Sequence, residues 1–378
     1  ALALKGEQRR WLLEAVRRHN PVPGLMYRHT RRLLKEYYQR GLMTDRVPER
    51  RPEAVWLEMS PEEHRLYRDV ERYISTYYKW YEEVRRGLGF IMTVYRRRLT
   101  SSLFALRRSL ERHRLFLLGQ WEDMERLAGL EDEDTEEADL EHDVLEELGD
   151  RPTFWDQEVR EVDRLLEELG RLPTERKFVA LRDRLQEALY RWDQVLVFTQ
   201  YTDTLDFLRQ ELLPAFGSRL GCYSGRGGEV WDTSQQKWVG TSKERIQQHF
   251  AEGQLKVLLC TEAAGEGLNL QNCGVVINYD MPWNPMKVEQ RIGRVDRIGQ
   301  RRREVFVMHF FYERTVEAQV YRVLGDRIGW FETVVGELQP ILQRAHPAIQ
   351  RIAMVSPDER EPLVKEELAA LSQEYEAR

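Results

Sequence analysis

The chain has 378 residues, 42% of them hydrophobic, and a formal net charge of −6, an average that excludes a uniformly basic nucleic-acid-binding protein. A chain of this length is too long for a single hydrophobic core, because cores stop growing near ~250–300 residues. We therefore expect more than one module. The chain has three widely spaced cysteines, which argue against a disulfide framework or a protein-bound metal. No apolar run approaches the ~20 residues of a membrane span, so we expect a cytoplasmic protein without membrane contact.

The first part of the chain carries helical patterns. Residues 1–52 hold a helical stretch at 7–19, a turn and a basic segment, which we interpret as a linker. Ser60 and Glu63 are spaced as a capping box, which predicts that a long helix begins there. Apolar and aromatic residues then recur at helical spacing, so residues 53–172 are predicted to form a helical insertion region.

Charge is distributed unevenly along the chain. Residues 131–150 hold twelve acidic residues and no lysine or arginine. Their mutual repulsion predicts a solvated loop or a frayed helix, and an autoinhibitory mimic of phosphate is the alternative. Residues 287–303, by contrast, hold seven basic residues and two acidic ones, so this segment can meet phosphate.

After residue 172 short apolar runs alternate with helical stretches, which is typical of a parallel sheet with helices on both faces. We predict an α/β lobe of RecA-like type over residues 173–335, with a hairpin-like insertion at 225–240 and a charged helical tail at 336–378. The predicted strands are Gln194–Thr199, Arg219–Ser224, Lys256–Thr261, Gly274–Tyr279 and Glu304–His309. The predicted helices lie near Asp203–Leu213, Ser242–Glu252 and Met286–Val295.

The strongest chemical signal is the segment from Gln290 to Gln300. On a helix, Arg294 and Arg297 would share a face, and Gln290 would lie one turn before Arg294. Guanidinium groups offer forked donors and a permanent charge, which suits the charge that develops on a transferred γ-phosphate. The motif alone does not decide between such a site and a solvated basic helix.

Two further segments follow predicted strands. Thr261–Gln271 contains two glycines that would let backbone amides approach phosphate or ribose, and Phe198–Tyr201 presents hydroxyl and amide groups. Because α/β sheets place ligand-binding loops at the carboxyl ends of their strands, we expect these segments and the arginine helix to converge on one rim.

At this point the chain resembles the C-terminal lobe of the superfamily-two helicases, specifically the Swi/Snf branch. The resemblance covers residues 178–321 and is nearest to bacterial members such as the RNA-polymerase-recycling ATPase and phage-defence translocases. The matching segments are Val195–Tyr201 for motif four, Cys260–Gln271 for motif five, Gln290–Arg297 for motif six and Asp280–Pro285 for the Asp-x-x-Trp-Asn-Pro element. Gly293 and Asp296 depart from the pattern, since many eukaryotic remodellers have Asp and His there.

The resemblance implies roles for individual residues. Arg294 and Arg297 would be arginine fingers on ATP, with Gln290 as their neighbour at the nucleotide. A second group would link the nucleotide state to lobe closure: Gly265, Glu266 and Gly267. A third group would contact the nucleic-acid backbone or support that contact: Thr199, Gln200, Thr261, Asn269, and Arg96 and Arg97 of the basic insertion helices. Residues 25–31 resemble the exit from a first lobe.

The sequence contains neither a GxxxxGK[ST] loop nor an Asp-Glu-x-His box. We therefore expect ATP with Mg²⁺ to be held mainly by the first RecA-like lobe of the same protein, and this chain alone to be inactive. The expected substrate is double-stranded DNA, with RNA or a hybrid favoured less. RNA polymerase or a defence-system protein is a possible partner, and the alternative function is a non-catalytic module that recruits such a protein.

Overall fold

A computed structural model describes residues 31–45, 47–84, 91–120, 154–262, 268, 270–297, 299–315, 318–319, 321–322, 351–352, 362–367 and 369. The chain divides into two compact units, residues 1–46 and 47–378. The described residues leave out the predicted helix at 7–19, residues 25–30 of the segment that resembles a first-lobe exit, the acidic run at 131–150 and most of the tail at 336–378. The first unit contains helix α1, Arg31–Gln39.

The second unit contains a bundle formed by four helices of the predicted insertion region. They are α2 (Pro61–Val84), α3 (Ile91–Ser101), α4 (Leu103–Leu117) and α5 (Trp155–Arg171). The capping box is confirmed, because the Glu63 amide donates to Ser60 Oγ at 3.1 Å and the Ser60 amide donates to Glu63 Oε2 at 2.7 Å. The bundle has its own apolar core, which includes Val70, Ile74, Tyr95, Leu110, Val162 and Leu165.

The second unit also contains an eight-stranded sheet, in the order β1-β8-β7-β2-β6-β3-β4-β5. The first six strands in this order pair in parallel, and β4 and β5 add an antiparallel hairpin at one edge. The strands are β1 (Glu49–Leu57), β2 (Val195–Phe198), β3 (Leu220–Ser224), β4 (Gly227–Asp232), β5 (Lys237–Thr241), β6 (Val257–Cys260), β7 (Val275–Asn278) and β8 (Glu304–Tyr312).

Helices cover both faces of this sheet, as the alternating pattern predicts. Helices α6 (Arg176–Arg191) and α7 (Thr202–Phe216) contribute to the core on one face. Helices α8 (Lys243–Ala251) and α9 (Pro285–Ile292) contribute to the core on the other. The three cysteines are free and buried in these cores. The fold is therefore a RecA-like lobe with an attached helical bundle.

Strand β1 is a feature that the sequence pattern does not predict. It pairs in parallel with β8 along its whole length, from Glu49 opposite Glu304 to Leu57 opposite Tyr312. The predicted boundary between residues 52 and 53 therefore falls inside a strand of the lobe. The strand contains Pro52 and several charges, which its position at a sheet edge tolerates. Among the described residues, no helix is long and apolar enough to cross a membrane.

Candidate nucleotide and nucleic-acid site

A buried carboxylate, Asp280, joins the carboxyl ends of β2 and β7. Thr199 Oγ1 donates to its Oδ2 at 2.6 Å, and the Gln200 amide donates to Oδ1 at 2.9 Å. Ser101 Oγ, from the end of α3, also donates to Oδ2, at 2.5 Å. A carboxylate accepts several such bonds because it has two oxygens and about four lone-pair positions. Asp280 thus fixes two strand ends and the helical bundle relative to one another.

Arg291, near the end of α9, extends this network toward motif five. Its Nη1 donates to the Asp280 backbone oxygen at 2.8 Å, and its Nη2 lies 2.8 Å from Glu262 Oε1 and 3.4 Å from Asp280 Oδ1. The planar guanidinium can serve these partners together because its five donors have a fixed geometry. Arg291 therefore links the segment after β6, the segment after β7 and α9.

A neutral histidine lies behind Arg291. His309 Nδ1 is 3.1 Å from Asn278 Nδ2, and Asn278 Oδ1 accepts from Arg291 Nη1 at 3.3 Å. Burial, followed by the charges of Arg291 and Arg50, lowers the pKa of His309 to about 3. The ring stays uncharged at neutral pH, so it does not add repulsion to the two arginines.

The helical bundle packs on the lobe at the junction between α3 and α4. Lys177 Nζ donates to the backbone oxygens of Thr100 and Ser101 at 2.6 and 3.2 Å, and it lies 4.6 Å from the ring centre of Tyr279. Glu175 accepts a hydrogen bond from the Leu103 amide. Burial raises the pKa of Glu175 to about 7. These contacts place Ser101 beside Asp280.

Arg294 and Arg297 do not lie on the helix that the sequence pattern predicts. Helix α9 ends at Ile292, and residues 293–297 continue as turns. The Arg294 oxygen accepts from the Leu270 amide at 3.2 Å, so this segment lies beside the end of motif five. Arg297 is exposed, and its Nε donates to the Gly293 oxygen at 2.6 Å. Gln290 is exposed near the end of α9.

The arginine segment lies away from Thr199, one of the predicted nucleic-acid contacts. Gln300 Nε2 donates to the oxygens of Cys273 and Val295 at 2.9 Å each, which places Val295 and Gln300 near the amino end of β7. Thr199 lies instead at the carboxyl end of β2. Helix α9 spans roughly 12 Å, at 1.5 Å per residue, between these two regions. The expected convergence of Arg294 and Arg297 with the Gly265–Gly267 loop stays a prediction, because that loop lies outside the described residues.

The predicted nucleic-acid contacts are more buried than expected. Thr199, Gln200 and Thr261 are each less than a tenth exposed, and the first two direct donors at Asp280. Thr261 lies at the end of β6, where its amide donates to the Tyr223 oxygen at 3.1 Å. Within the part of the chain that the structure describes, its hydroxyl has no hydrogen-bond partner. Gly265, Glu266, Gly267 and Asn269 lie outside the described residues.

Arg96 and Arg97 also differ from the expectation of surface charges facing DNA. Arg96 forms two hydrogen bonds with Glu71, at 2.7 and 2.9 Å, inside the bundle. The Arg97 guanidinium lies 4.8 Å from the ring centre of Trp283 and is also buried. The position of Arg96 does not support a contact with phosphate, because its guanidinium is already enclosed with a carboxylate. Sequence spacing could not detect this pairing, since Glu71 is on another helix.

Residues 176–299 match the family described as "Helicase conserved C-terminal domain". These residues are therefore similar to helicase C-terminal domains, which confirms, for this segment, the helicase resemblance inferred from motifs four, five and six.

Two relatives show where the similarity lies. The "Uncharacterized ATP-dependent helicase YqhH" of Bacillus subtilis is 40% identical over 152 residues, 40% of this chain and 25% of that protein. The "RNA polymerase-associated protein RapA" of Yersinia enterocolitica is 40% identical over 92 residues, 24% of this chain and 9% of that protein. The alignments span a quarter or less of these relatives.

Among solved structures, the chain has a partial likeness to the Hef helicase domain of Pyrococcus furiosus. Its TM-score is 0.45 at 17% identity, with 73% of this chain and 58% of that chain covered. The C-terminal part of the Fun30 ATPase domain gives a TM-score of 0.44 at 12% identity, covering 81% and 99% of the two chains.

Proposed function

We propose that this chain is the second motor lobe of an ATP-dependent translocase of the Swi/Snf branch that moves on double-stranded DNA. The observation that carries the proposal is the helicase C-terminal domain match over residues 176–299, which includes Arg294 and Arg297. In this proposal both arginines contact ATP held with Mg²⁺ by a first lobe. This chain alone does not hydrolyse ATP, because the phosphate-binding loop belongs to that first lobe.

The proposed nucleic-acid contacts lie at the other end of α9, at the carboxyl ends of β2 and β6. Contacts to phosphate give position without sequence information, so binding is expected to be sensitive to salt and largely independent of sequence. Thr261, whose buried hydroxyl has no partner among the described residues, supports a contact with the tracked strand. Arg291 and Asp280 connect this region to the arginine segment.

The test uses a protein that joins this chain to its first lobe. Steady-state ATP hydrolysis is measured with and without duplex DNA for Arg294→Ala, Arg297→Ala and the control Arg301→Ala. Loss of either proposed finger should lower turnover on the order of 10³-fold. The control removes another exposed arginine a few residues later and should retain turnover. Normal turnover in both finger variants would refute the motor function.

The second candidate is a non-catalytic module that recruits a protein such as RNA polymerase. It is favoured by the similarity to a relative named as RNA polymerase-associated and by the separate core of the helical bundle. Purified RNA polymerase and this chain alone can be mixed and analysed by sedimentation. A complex that forms without the first lobe, combined with normal turnover in both finger variants, would favour this candidate over the motor lobe.

A further inference from the structure

Arg50, near the start of β1, is held in a fixed position by the sheet. It lies opposite Val305 of β8, and the preceding Glu49 amide donates to the Arg303 oxygen at 2.8 Å. Farther along the same strand pair, Trp56 and Phe311 stack with ring centres 4.7 Å apart. The direction of the Arg50 side chain is therefore set by strand pairing.

The Arg50 guanidinium binds two carboxylates, one immediately before motif six and one inside it. Its Nη1 lies 3.0 and 2.9 Å from the two carboxylate oxygens of Glu289, and its Nε forms an ion pair with Asp296. The side chains of Arg50 and Glu289 are each 8% exposed, and that of Asp296 is 1% exposed. Such enclosure makes the geometry specific, since a displaced charge would be left unpaired in a poorly solvated place.

Asp296 connects these ion pairs to the two proposed arginine fingers, because it lies next to them in the sequence. Asp296 is two residues after Arg294 and immediately before Arg297, in the stretch of turns that follows α9. The amides of residues 293 to 296 still bond to oxygens three or four residues earlier, but the Arg297 amide donates to the Val295 oxygen, so helical bonding in this stretch stops at Asp296. A buried contact at this residue therefore restricts where both arginines can point. Glu289 binds the same guanidinium from α9, so the helix and the turns are fixed to β1 together.

We infer that Arg50 is a positioning residue for ATP hydrolysis, which holds Arg294 and Arg297 in place through Asp296. This inference rests on the proposed function, since it assigns the role of Arg50 through those two arginines. Arg50 does not contact nucleotide in this account. Its contribution is geometric, because a guanidinium that stabilises charge only in the transition state is sensitive to small displacements.

The neighbouring Arg51 provides a matched control. It lies on the opposite face of β1, is 51% exposed, and its Nη2 lies 2.8 Å from Glu304 Oε1. Arg50→Met and Arg51→Met thus remove the same charge from adjacent positions of one strand, and methionine keeps much of the side-chain stem. The protein that joins this chain to its first lobe is used, and thermal unfolding establishes that each variant is folded.

Arg50→Met should lower kcat for DNA-stimulated ATP hydrolysis on the order of tenfold, with KM for ATP and affinity for duplex DNA within about twofold of the unmodified protein. Arg51→Met should change neither constant. A purely structural effect would not lower kcat while leaving KM for ATP and the affinity for DNA unchanged. Equal kcat values for Arg50→Met and Arg51→Met would overturn the inference.

Asp296→Asn tests the same inference with a smaller structural change, because the side chain keeps its size. It should lower kcat in the same direction, and the double variant Arg50→Met/Asp296→Asn should lose less than the product of the single effects. Multiplicative effects would overturn the inference. If Arg294→Ala and Arg297→Ala are inactive while Arg50→Met is unaffected, only the role of Arg50 fails. Full activity of both alanine variants would instead remove the proposed function.

Discussion

The carboxyl group of Glu175 predicts a pH dependence of stability at the contact between the helical bundle and the lobe. Burial is the largest cause that raises its pKa from 4.5 to about 7, and Glu63 acts in the same direction. The Leu103 amide and Lys177 oppose the increase. Because the pKa is higher in the folded state, folding favours the protonated carboxyl.

The magnitude follows from these two pKa values. A difference of about 2.5 corresponds to about 3 kcal/mol as an upper limit, at ~1.36 kcal/mol for each pKa unit. The contribution is fully present below pH 4.5, where the carboxyl is protonated in both states. It declines as the pH rises toward about 7 and is absent above that value. The pH dependence of this contribution is opposite to that of a salt-bridged carboxylate, whose contribution to stability is lost in acid.

Glu175→Gln removes this titration while keeping an oxygen for the Leu103 amide. We expect the free energy of unfolding of the variant, relative to the unmodified chain, to increase between pH 5 and 8 by up to about 2.5 kcal/mol. Urea unfolding monitored by tryptophan fluorescence measures this difference at several pH values. The control Glu187→Gln changes a carboxyl that is 49% exposed, near the end of helix α6, which begins just after Glu175. A Glu175→Gln difference that stays constant with pH would refute the argument.

Two further predictions concern packing. Tyr81→Phe removes a hydroxyl that donates to buried Glu158 at 2.8 Å, so it should lower the free energy of unfolding by about 1.5–3 kcal/mol in urea titrations; no measurable change would contradict this. Gly221→Ala should cost about 1–3 kcal/mol in the same assay, because its new Cβ would lie 2.7 Å from a buried Leu255 methyl group. Gly240→Ala meets no atom within 4 Å and is the control; an equal loss in both would show that crowding is not the cause.

The strands of the central sheet could be predicted because most of them are short, mainly apolar runs. The runs before Thr199 and Thr261 are buried on both faces. Most observed strand ends lie within one or two residues of the predicted ends. The hairpin at 225–240 was also recognisable from its glycines. Its pairing with β3 was not, because register depends on a neighbouring strand.

Strand β1 could not be predicted for a different reason. It contains a proline and alternating charges, so no local pattern distinguishes it from a linker. Its stability comes from pairing with β8, which is about 250 residues away in sequence, as the register of Glu49 opposite Glu304 shows. The roles of Arg50, Asp280 and Arg291 were missed for the same reason, since their partners are distant in the chain.

The sequence by itself determined the class of domain. Motif residue types such as Arg294 and Arg297, and the order of strands and helices, depend on local chemistry and periodicity. Only the tertiary structure decided which charges are enclosed: Arg96 pairs with Glu71, and Arg50 pairs with Asp296. Whether a basic side chain faces solvent or a buried carboxylate depends on how separate elements pack, and a pattern of nearby residues does not contain that information.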